Sequence, residues 1–300
     1  MTTSGDQVKM NMKACVLLVA VSAAWCALAV ESHVDKVVNE VLANVAKLKA
    51  ADPSAVPMAF WDFDGTIIKG DVSEGLVENG EERYQGLIHA GILAGWSSTY
   101  RGEAGWRQYA DKDYPRLNEI GRFIAWPYNA QIFAGAKASE FDVFCQRRFR
   151  EVYRKWYFTS SVAILKRLEA AGVENHIVSA SPEIFVKNAA ESLGLGRDRM
   201  NAIRVGIDGG RVTTRIEEPV PFGEGKIEVV RRIVNACPHA RAVAGFGNSY
   251  QTDGAFLRYI VSQRSLPGGA KGFALMINGF EPLPGYEGLF TCVSQSEVGE

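Results

Sequence analysis

The chain has 300 residues, of which 47% are hydrophobic and 22% are charged, so it can bury a core large enough for one or two domains. This composition excludes a disordered or fibrous protein. The 33 basic and 34 acidic residues give a formal net charge of -1, which leaves no positive surplus for binding a nucleic acid backbone. Five cysteines without a paired CxxC spacing predict neither a disulfide framework nor a structural zinc site.

The first segment has the pattern of a targeting signal. Lys9 and Lys13 precede an uncharged apolar run over residues 14–30, which ends in the small-residue pattern Ala27-Leu28-Ala29. We therefore predict a signal peptide over residues 1–29 and an exported protein, either secreted, periplasmic or in the lumen of the secretory pathway. The alternative is an uncleaved membrane anchor, because the run falls only slightly short of a membrane span.

An amphipathic helix follows the leader, within a predicted segment over residues 30–57. Valines and leucines recur between residues 34 and 48 at the spacing of one helix face, which must pack against another element. Asp52-Pro53 ends this pattern.

Three short apolar runs then have the pattern of parallel strands. They cover residues 57–61, 175–178 and 240–244, and each leads into small or polar residues and then into a helical pattern. This alternation is typical of an α/β protein with a Rossmann-like parallel sheet, in which ligands bind at the carboxyl ends of the strands. Residues 201–220 contain two alternating runs joined by Asp208-Gly209-Gly210, which predicts an antiparallel hairpin.

The segment over residues 70–158 differs from the rest, because it combines helical spacing with several glycines and many aromatic residues. We predict that it forms a helical cap inserted between the first and second strands. The catalytic core then consists of residues 58–69 and 159–300.

Polar side chains follow the predicted strands. Asp62 and Asp64 come directly after the first strand, and Ser179 ends the second. Two close carboxylates repel each other in a half-buried cleft, so the pair requires a metal ion or a shared proton. Taken alone, the segment Asp62-Phe63-Asp64-Gly65-Thr66 is equally consistent with a solvated turn. Lys226 and the segment over residues 247–253 occur further along, where a parallel sheet would bring them to the same edge.

These four segments together resemble the signature motifs of the haloacid dehalogenase superfamily of phosphotransfer enzymes, over most of residues 58–275. Asp62 and Asp64 match the first motif, Ser179 the second, Lys226 the third, and residues 248–253 the fourth. Within the superfamily, the chain is similar to the phosphoserine phosphatase and phosphorylcholine phosphatase groups. The resemblance therefore implies hydrolysis of a phosphomonoester.

The resemblance also implies a role for each matching residue. Asp62 is expected to be the nucleophile that forms an aspartyl-phosphate, and Asp64 the general acid and base. Ser179 and Lys226 are expected to bind the phosphoryl oxygens, and Thr66 to brace the same site.

Mg²⁺ is the cofactor that the resemblance implies, held by Asp62, Asp64, Asn248 and Asp253. The family's fourth motif begins with Gly-Asp, whereas this chain has Gly247-Asn248. One negative charge is therefore missing from the metal site, and we expect weaker Mg²⁺ binding. The alternative is a catalytically silent protein that binds a phosphorylated metabolite on the same fold.

A cap at this position closes over the site and selects substrates in the superfamily. Asp71 and Glu74 are candidate counter-charges to an amino or choline group. The cap also contains four tryptophans, which either surround a quaternary ammonium or only form the core of the cap: Trp96, Trp106, Trp126 and Trp156. The expected partner is a small phosphorylated metabolite such as phosphocholine or phosphoserine, with no nucleic acid, and with a membrane only through an uncleaved leader.

Overall fold

A computed structural model describes residues 33–263 and 266–299. The predicted signal peptide or anchor over residues 1–29 lies outside these residues. In the part of the chain that is described, no helix combines the length and the apolar character that crossing a membrane requires.

The first described element is helix α1, over residues 33–51. Its predicted apolar stripe is buried, with Val41 and Leu48 fully inaccessible. The helix ends at Asp52, whose carboxylate accepts hydrogen bonds from the backbone and hydroxyl of Ser54. Asp35 pairs with Arg167, which fixes α1 to the core. The predicted amphipathic helix is therefore confirmed.

The core is a seven-stranded sheet with the order β6-β5-β4-β1-β7-β8-β9, in which only the β5 and β6 pair is antiparallel. The three predicted parallel strands are β1, β4 and β7, and the predicted hairpin is β5 with β6. The strand bounds are β1 Val56–Trp61, β4 Glu174–Pro182, β5 Met200–Asp208, β6 Arg211–Glu217, β7 Ala240–Gly247, β8 Phe273–Ile277 and β9 Thr291–Val293.

Both faces of the sheet are covered by helices. Side chains of β1 alternate between the two faces, as the period of a strand requires: Ala59 and Trp61 contribute to one hydrophobic cluster, and Met58 and Phe60 to the other. The first cluster includes α1, α7 and the cap, and the second includes α10 and α11. The core helices are α7 Thr159–Ala170, α8 Glu183–Val186, α9 Ala190–Leu193, α10 Glu224–Ala236 and α11 Gly254–Val261.

The inserted segment, which we call the cap (residues 70–158), is mainly helical. Backbone hydrogen bonds join its two connections to the core, from Lys69 to Trp156 and from Phe158 to Ile67. Its α-helices are α2 Leu87–Leu93, α3 Gly102–Gln108, α4 Tyr114–Ile120, α5 Arg122–Gln131 and α6 Ala138–Arg148, with π-helical turns at Tyr109–Asp113 and Phe149–Tyr153.

The cap also contains a two-stranded hairpin that the sequence analysis did not predict, β2 Gly75–Glu78 with β3 Glu81–Gln85. Its strands are short and largely charged or exposed, with Val77 66% exposed, so they lack the apolar alternation that indicates a strand. The connecting Asn79 and Gly80 both have positive φ. That Asn-Gly pair is a strong hairpin signal, and it could have revealed the turn.

Candidate active site

A cavity of about 260 Å³ lies between the carboxyl ends of the core strands and the cap. Core and cap each contribute seven of its lining residues. Those of the core are Asp62, Asp64, Ala180, Ser181, Asn248, Ser249 and Thr252, and those of the cap are Asp71, Ser73, Glu74, Tyr114, Arg122, Trp126 and Asn129.

The turn after β1 brings both predicted catalytic carboxylates to this cavity. The backbone N–H of Asp62 still bonds to Phe246 of β7, and the chain then turns at Gly65, whose φ is +71°. A Cβ atom at Gly65 would lie 2.0 Å from Nδ2 of Asn248. Glycine is therefore required both by the backbone conformation and by the close approach of the fourth motif.

Lys226 lies behind Asp62 and is fully buried. Its Nζ donates to Oδ1 of Asp62 at 2.6 Å and to Oδ1 of Asp253 at 2.7 Å. Burial opposes the charge of Lys226, but the carboxylates of Asp253 and Asp62 outweigh this effect and raise its pKa. Burial and the Asp253 charge raise the pKa of Asp62 to about 7, against the opposing influence of Lys226.

Asp253 does not line the cavity, and both of its oxygens are already engaged. Oδ1 accepts from Lys226, while Oδ2 accepts from the backbone N–H groups of Asn248 and Ser249 at 3.0 Å each. The contacts thus do not support the prediction that Asp253 ligates the ion. Asp253 instead orients Lys226 and the turn of the fourth motif.

Asp64 is held at both of its oxygens. Oδ1 accepts from the backbone N–H of Val72 at 2.7 Å, and Oδ2 accepts from the hydroxyl of Ser181 at 2.7 Å. Burial raises the pKa of Asp64 to about 6, although the bonds from Val72 and Ser181 oppose this rise. A carboxyl group with such a pKa can both give and accept a proton near neutral pH.

Ser179 lies in β4 beside Asp64. Its hydroxyl is fully buried, accepts from the backbone N–H of Ser181 at 3.0 Å, and lies 3.4 Å from Oδ2 of Asp64. Ala180 and Ser181 line the cavity instead, so a direct contact between the Ser179 hydroxyl and a phosphoryl group is not supported here. Ser181 is a site residue that the sequence analysis missed.

Thr66 lies between Asp62 and Asn248, two of the three predicted metal ligands that remain. Its hydroxyl donates to Oδ2 of Asp62 at 3.0 Å and lies 3.5 Å from Oδ1 of Asn248. Across residues 33–263 and 266–299, no three or more His, Cys, Asp or Glu side chains are grouped to hold a metal ion. The site offers the Asp62 carboxylate, the Asn248 amide oxygen and the Asp64 backbone carbonyl. All three are hard oxygen donors, the ligands that Mg²⁺ prefers, so these residues fit the ion.

The cap side of the cavity contains charges of both signs. Asp71 accepts from the backbone N–H groups of Ser73 and Glu74, and burial together with the Asp64 charge raises its pKa well above the ordinary value. Glu74 accepts from the hydroxyl of Tyr114 at 2.5 Å. Both acidic residues thus line the cavity as predicted.

Arg122 is a cap residue of the site that the sequence analysis did not identify. Its guanidinium donates to the side chain of Gln251, in the fourth motif, at 2.7 Å and lies 5.4 Å from the ring centre of Trp126. Trp126 in turn meets Phe222 edge-on. These contacts join the start of α5 to the core beside the cavity.

The four tryptophans of the cap have different surroundings. Trp126 lines the main cavity. Trp106 lines a neighbouring cavity of about 140 Å³, which shares Glu74 and Tyr114 with the main one. Trp96 packs on Phe141 and Phe144, and Trp156 packs on Tyr84. Only two of the four therefore lie where they could contact a substrate.

Comparisons with known proteins agree with this architecture. A family model described as haloacid dehalogenase-like hydrolase matches residues 59–258. A solved protein with unknown function from Bordetella pertussis Tohama I has 17% sequence identity and a TM-score of 0.59, covering 80% of this chain and 99% of that one. No curated protein matches the sequence.

A second solved structure, of a conserved functionally unknown protein from Anaerococcus prevotii DSM 20548, has 13% identity and a TM-score of 0.56. The match covers 86% of this chain and 96% of that chain. At such identities, the similarity shows the fold alone.

Proposed function

The chain belongs to the haloacid dehalogenase-like hydrolases, and we propose that it hydrolyses a small phosphomonoester through an aspartyl-phosphate intermediate. The observation that carries this proposal is the contact between Asp62, which lines the cavity, and the buried Lys226 behind it. A phosphate dianion repels nucleophiles, so its hydrolysis depends mainly on positioning and charge neutralisation. Lys226 supplies a fixed positive charge to the nucleophile, and Asp64 supplies a proton.

In the first step, a carboxylate oxygen of Asp62 forms a bond to phosphorus while the bond between phosphorus and the leaving oxygen breaks. Asp64 gives its proton to that leaving oxygen, which departs as an alcohol. In the second step, a water oxygen forms a bond to phosphorus while Asp64 takes a proton from the water. The bond between phosphorus and the Asp62 oxygen breaks, which restores the Asp62 carboxylate and frees inorganic phosphate. Mg²⁺, held by Asp62, Asn248 and the Asp64 carbonyl, would neutralise the negative charge of the phosphoryl group.

We further propose that the leaving group carries a cationic nitrogen. Asp71 and Glu74 line the cavity beside the catalytic carboxylates, and the volume of about 260 Å³ suits a small metabolite. Phosphocholine and phosphoserine both meet these conditions. Arg122 favours phosphoserine, because it could pair with a carboxylate, whereas the cavity beside Trp106 favours the quaternary ammonium of phosphocholine.

The competing function is a silent binding protein, which the Asn248 substitution in the fourth motif favours. Hydrolysis of p-nitrophenyl phosphate, measured with Mg²⁺ and with EDTA, separates the two. We expect Mg²⁺-dependent turnover, and we expect Asp62→Asn to lower it by more than about 10³-fold. Asp208→Asn, at an exposed end of β5, is the matched control and should leave the rate unchanged. Absence of turnover in the unaltered protein with every divalent metal would support the binding protein.

Export is also a proposal, supported by the charged and apolar pattern of the leader. Expression of the full chain with a C-terminal tag tests it, because cleavage after the leader shortens the N-terminus by a length that mass spectrometry measures. An intact N-terminus in a membrane fraction would indicate the anchor instead.

A further inference from the structure

The carboxyl group of Asp64 is held by hydrogen bonds that begin in the cap. The backbone N–H of Val72, a cap residue, donates to Oδ1 at 2.7 Å. The hydroxyl of Ser73, also in the cap, donates to the hydroxyl of Ser181 at 2.9 Å, and Ser181 donates to Oδ2 at 2.7 Å. Val72, Ser73 and Ser181 are all buried, so these bonds are largely shielded from bulk water.

We infer that Ser181 and Ser73 are positioning residues that hold the carboxyl group of Asp64 in the orientation that a general acid requires. This inference rests on the proposed function. The backbone N–H of Val72 donates to Oδ1, and the Ser181 hydroxyl donates to Oδ2. The hydroxyl of Ser179, 3.4 Å from Oδ2, is a further contact from the core. The carboxyl group of Asp64 is therefore held at both of its oxygens.

The same bonds suit the state of Asp64 after the proposed proton transfer. As the bond between phosphorus and the leaving oxygen breaks, that oxygen takes the proton of Asp64, and Asp64 becomes a carboxylate. Ser181 then donates to Oδ2 and Ser73 donates to Ser181, which is the arrangement in the structure. The chain of hydroxyls thus stabilises the charge that proton transfer creates.

The groups that orient Asp64 come from both the core and the cap. Ser181 lies at the end of β4 in the core, whereas Val72 and Ser73 belong to the inserted segment. The donor to Oδ1 and the donor to Ser181 therefore both come from the cap.

The test compares two leaving groups, because a good leaving group needs little help from an acid. We expect Ser181→Ala to lower kcat/KM for an alkyl ester, phosphoserine or phosphocholine, by about 10- to 100-fold, with little change for p-nitrophenyl phosphate. Ser181→Thr keeps the hydroxyl, so it should restore the ratio of kcat/KM for the alkyl ester to kcat/KM for p-nitrophenyl phosphate. Ser73→Ala should cause a smaller loss of the same selectivity, and combining it with Ser181→Ala should add nothing further.

Ser192→Ala is the matched control, since the Tyr157 and Ser192 hydroxyls form a pair of the same 2.9 Å length that does not line this cavity. Ser192→Ala should not change kcat/KM for either ester. Equal losses on both leaving groups with Ser181→Ala and with Ser73→Ala would overturn the inference while leaving the proposed function intact. If Ser181→Ala does not fold, Ser73→Ala decides by the same ratio. Absence of hydrolysis of both esters by the unaltered protein would overturn the proposed function, and this inference with it.

Discussion

The core and cap sides of the cavity differ in how their charged groups are supported. On the core side, Asp62 and Lys226 are buried, and each is bonded to at least one further protein group. On the cap side, Glu74 and Arg122 are exposed, and each forms a hydrogen bond with an uncharged partner. Buried charges that are already paired suit chemistry that requires a fixed geometry, whereas exposed charges can exchange their partners for a ligand. Under the proposed function, we therefore expect bond making to depend on the core and substrate choice to depend on the cap.

The largest effect is expected at Lys226, because its charge is paired with two carboxylates on the core side. Lys226→Met leaves the carboxylates of Asp62 and Asp253 buried without their cation, so the free energy of unfolding should fall by about 3–5 kcal/mol. Urea unfolding measures this change, with Lys166→Met, an exposed lysine of α7, as the control. Adding Asp253→Asn should recover part of the loss. A decrease no larger than that of the control would contradict the core side of the comparison.

The next largest effect is expected at the metal site, where Asn248 stands in place of the negatively charged aspartate of the family motif. Asn248→Asp adds a carboxylate near Asp62 and Thr66, so we expect Mg²⁺ to bind about tenfold more tightly. Isothermal titration of the protein with Mg²⁺ measures the affinity directly. Gln251→Glu adds the same charge to the same turn but outside the cavity lining, and should have less effect. Unchanged or weaker binding by Asn248→Asp would mean that the ion lies elsewhere.

A smaller effect is expected at Arg122, on the cap side, where the measurement tests whether the cap distinguishes between substrates. Arg122→Met should raise KM for phosphoserine by about tenfold, because a charge-assisted hydrogen bond to the carboxylate is lost. KM for phosphocholine should not change, and kcat should be retained for both. Arg116→Met, an exposed arginine of α4, is the control. Equal changes in KM for the two substrates would show that Arg122 supports the cap and does not choose between them.

Glu74→Gln provides the complementary measurement. Because both candidate leaving groups carry a cationic nitrogen, KM should rise for both, by about tenfold. The hydrogen bond from Tyr114 can be retained by the amide oxygen, so an effect on KM would report the charge. A change in kcat without a change in KM would contradict a binding role for Glu74.

The core side could be predicted from sequence because its residues lie in short motifs at strand ends. Asp62 and Asp64 follow from that rule, and Lys226 lies in a short motif at the start of α10. The rule does not give the contacts of each side chain. For Asp253, the spacing predicts a carboxylate near the site but does not show that it faces Lys226. Ser181 could have been found, since β4 continues past Ser179 and residues two apart in a strand share a face.

The cap side could not be predicted to the same degree. Its lining residues come from separate helices and turns, and their approach depends on packing among aromatic side chains that have similar sequence signals. Asp71 and Glu74 were predictable because they follow closely on the first motif. Arg122 lies 60 residues after Asp62 in the sequence, and nothing in its local pattern distinguishes it from other arginines of the cap.

The smallest effect concerns Asp71, which lies in the cap but is bonded as firmly as the core residues. Its raised pKa means that the native state keeps a proton that the unfolded chain releases near the ordinary value of 3.8. Above that pH, Asp71 binds more protons in the native state than in the unfolded chain, so its contribution to stability falls as the pH rises. Asp71→Asn removes this dependence while its amide oxygen still accepts from Ser73 and Glu74. The free energy of unfolding of the variant should therefore exceed that of the unaltered protein increasingly from about pH 4 upward.

Urea unfolding in EDTA at a series of pH values measures this difference, and a tenfold change in proton affinity corresponds to about 1.4 kcal/mol. Asp208→Asn, at an exposed position, should give a difference that does not vary with pH. If Asp71→Asn behaves like that control, Asp71 is solvated like Glu74 and remains available to a cationic leaving group as a full charge. If the difference grows with pH, the proton on Asp71 must be lost when a cationic substrate binds, so substrate binding should tighten as the pH rises.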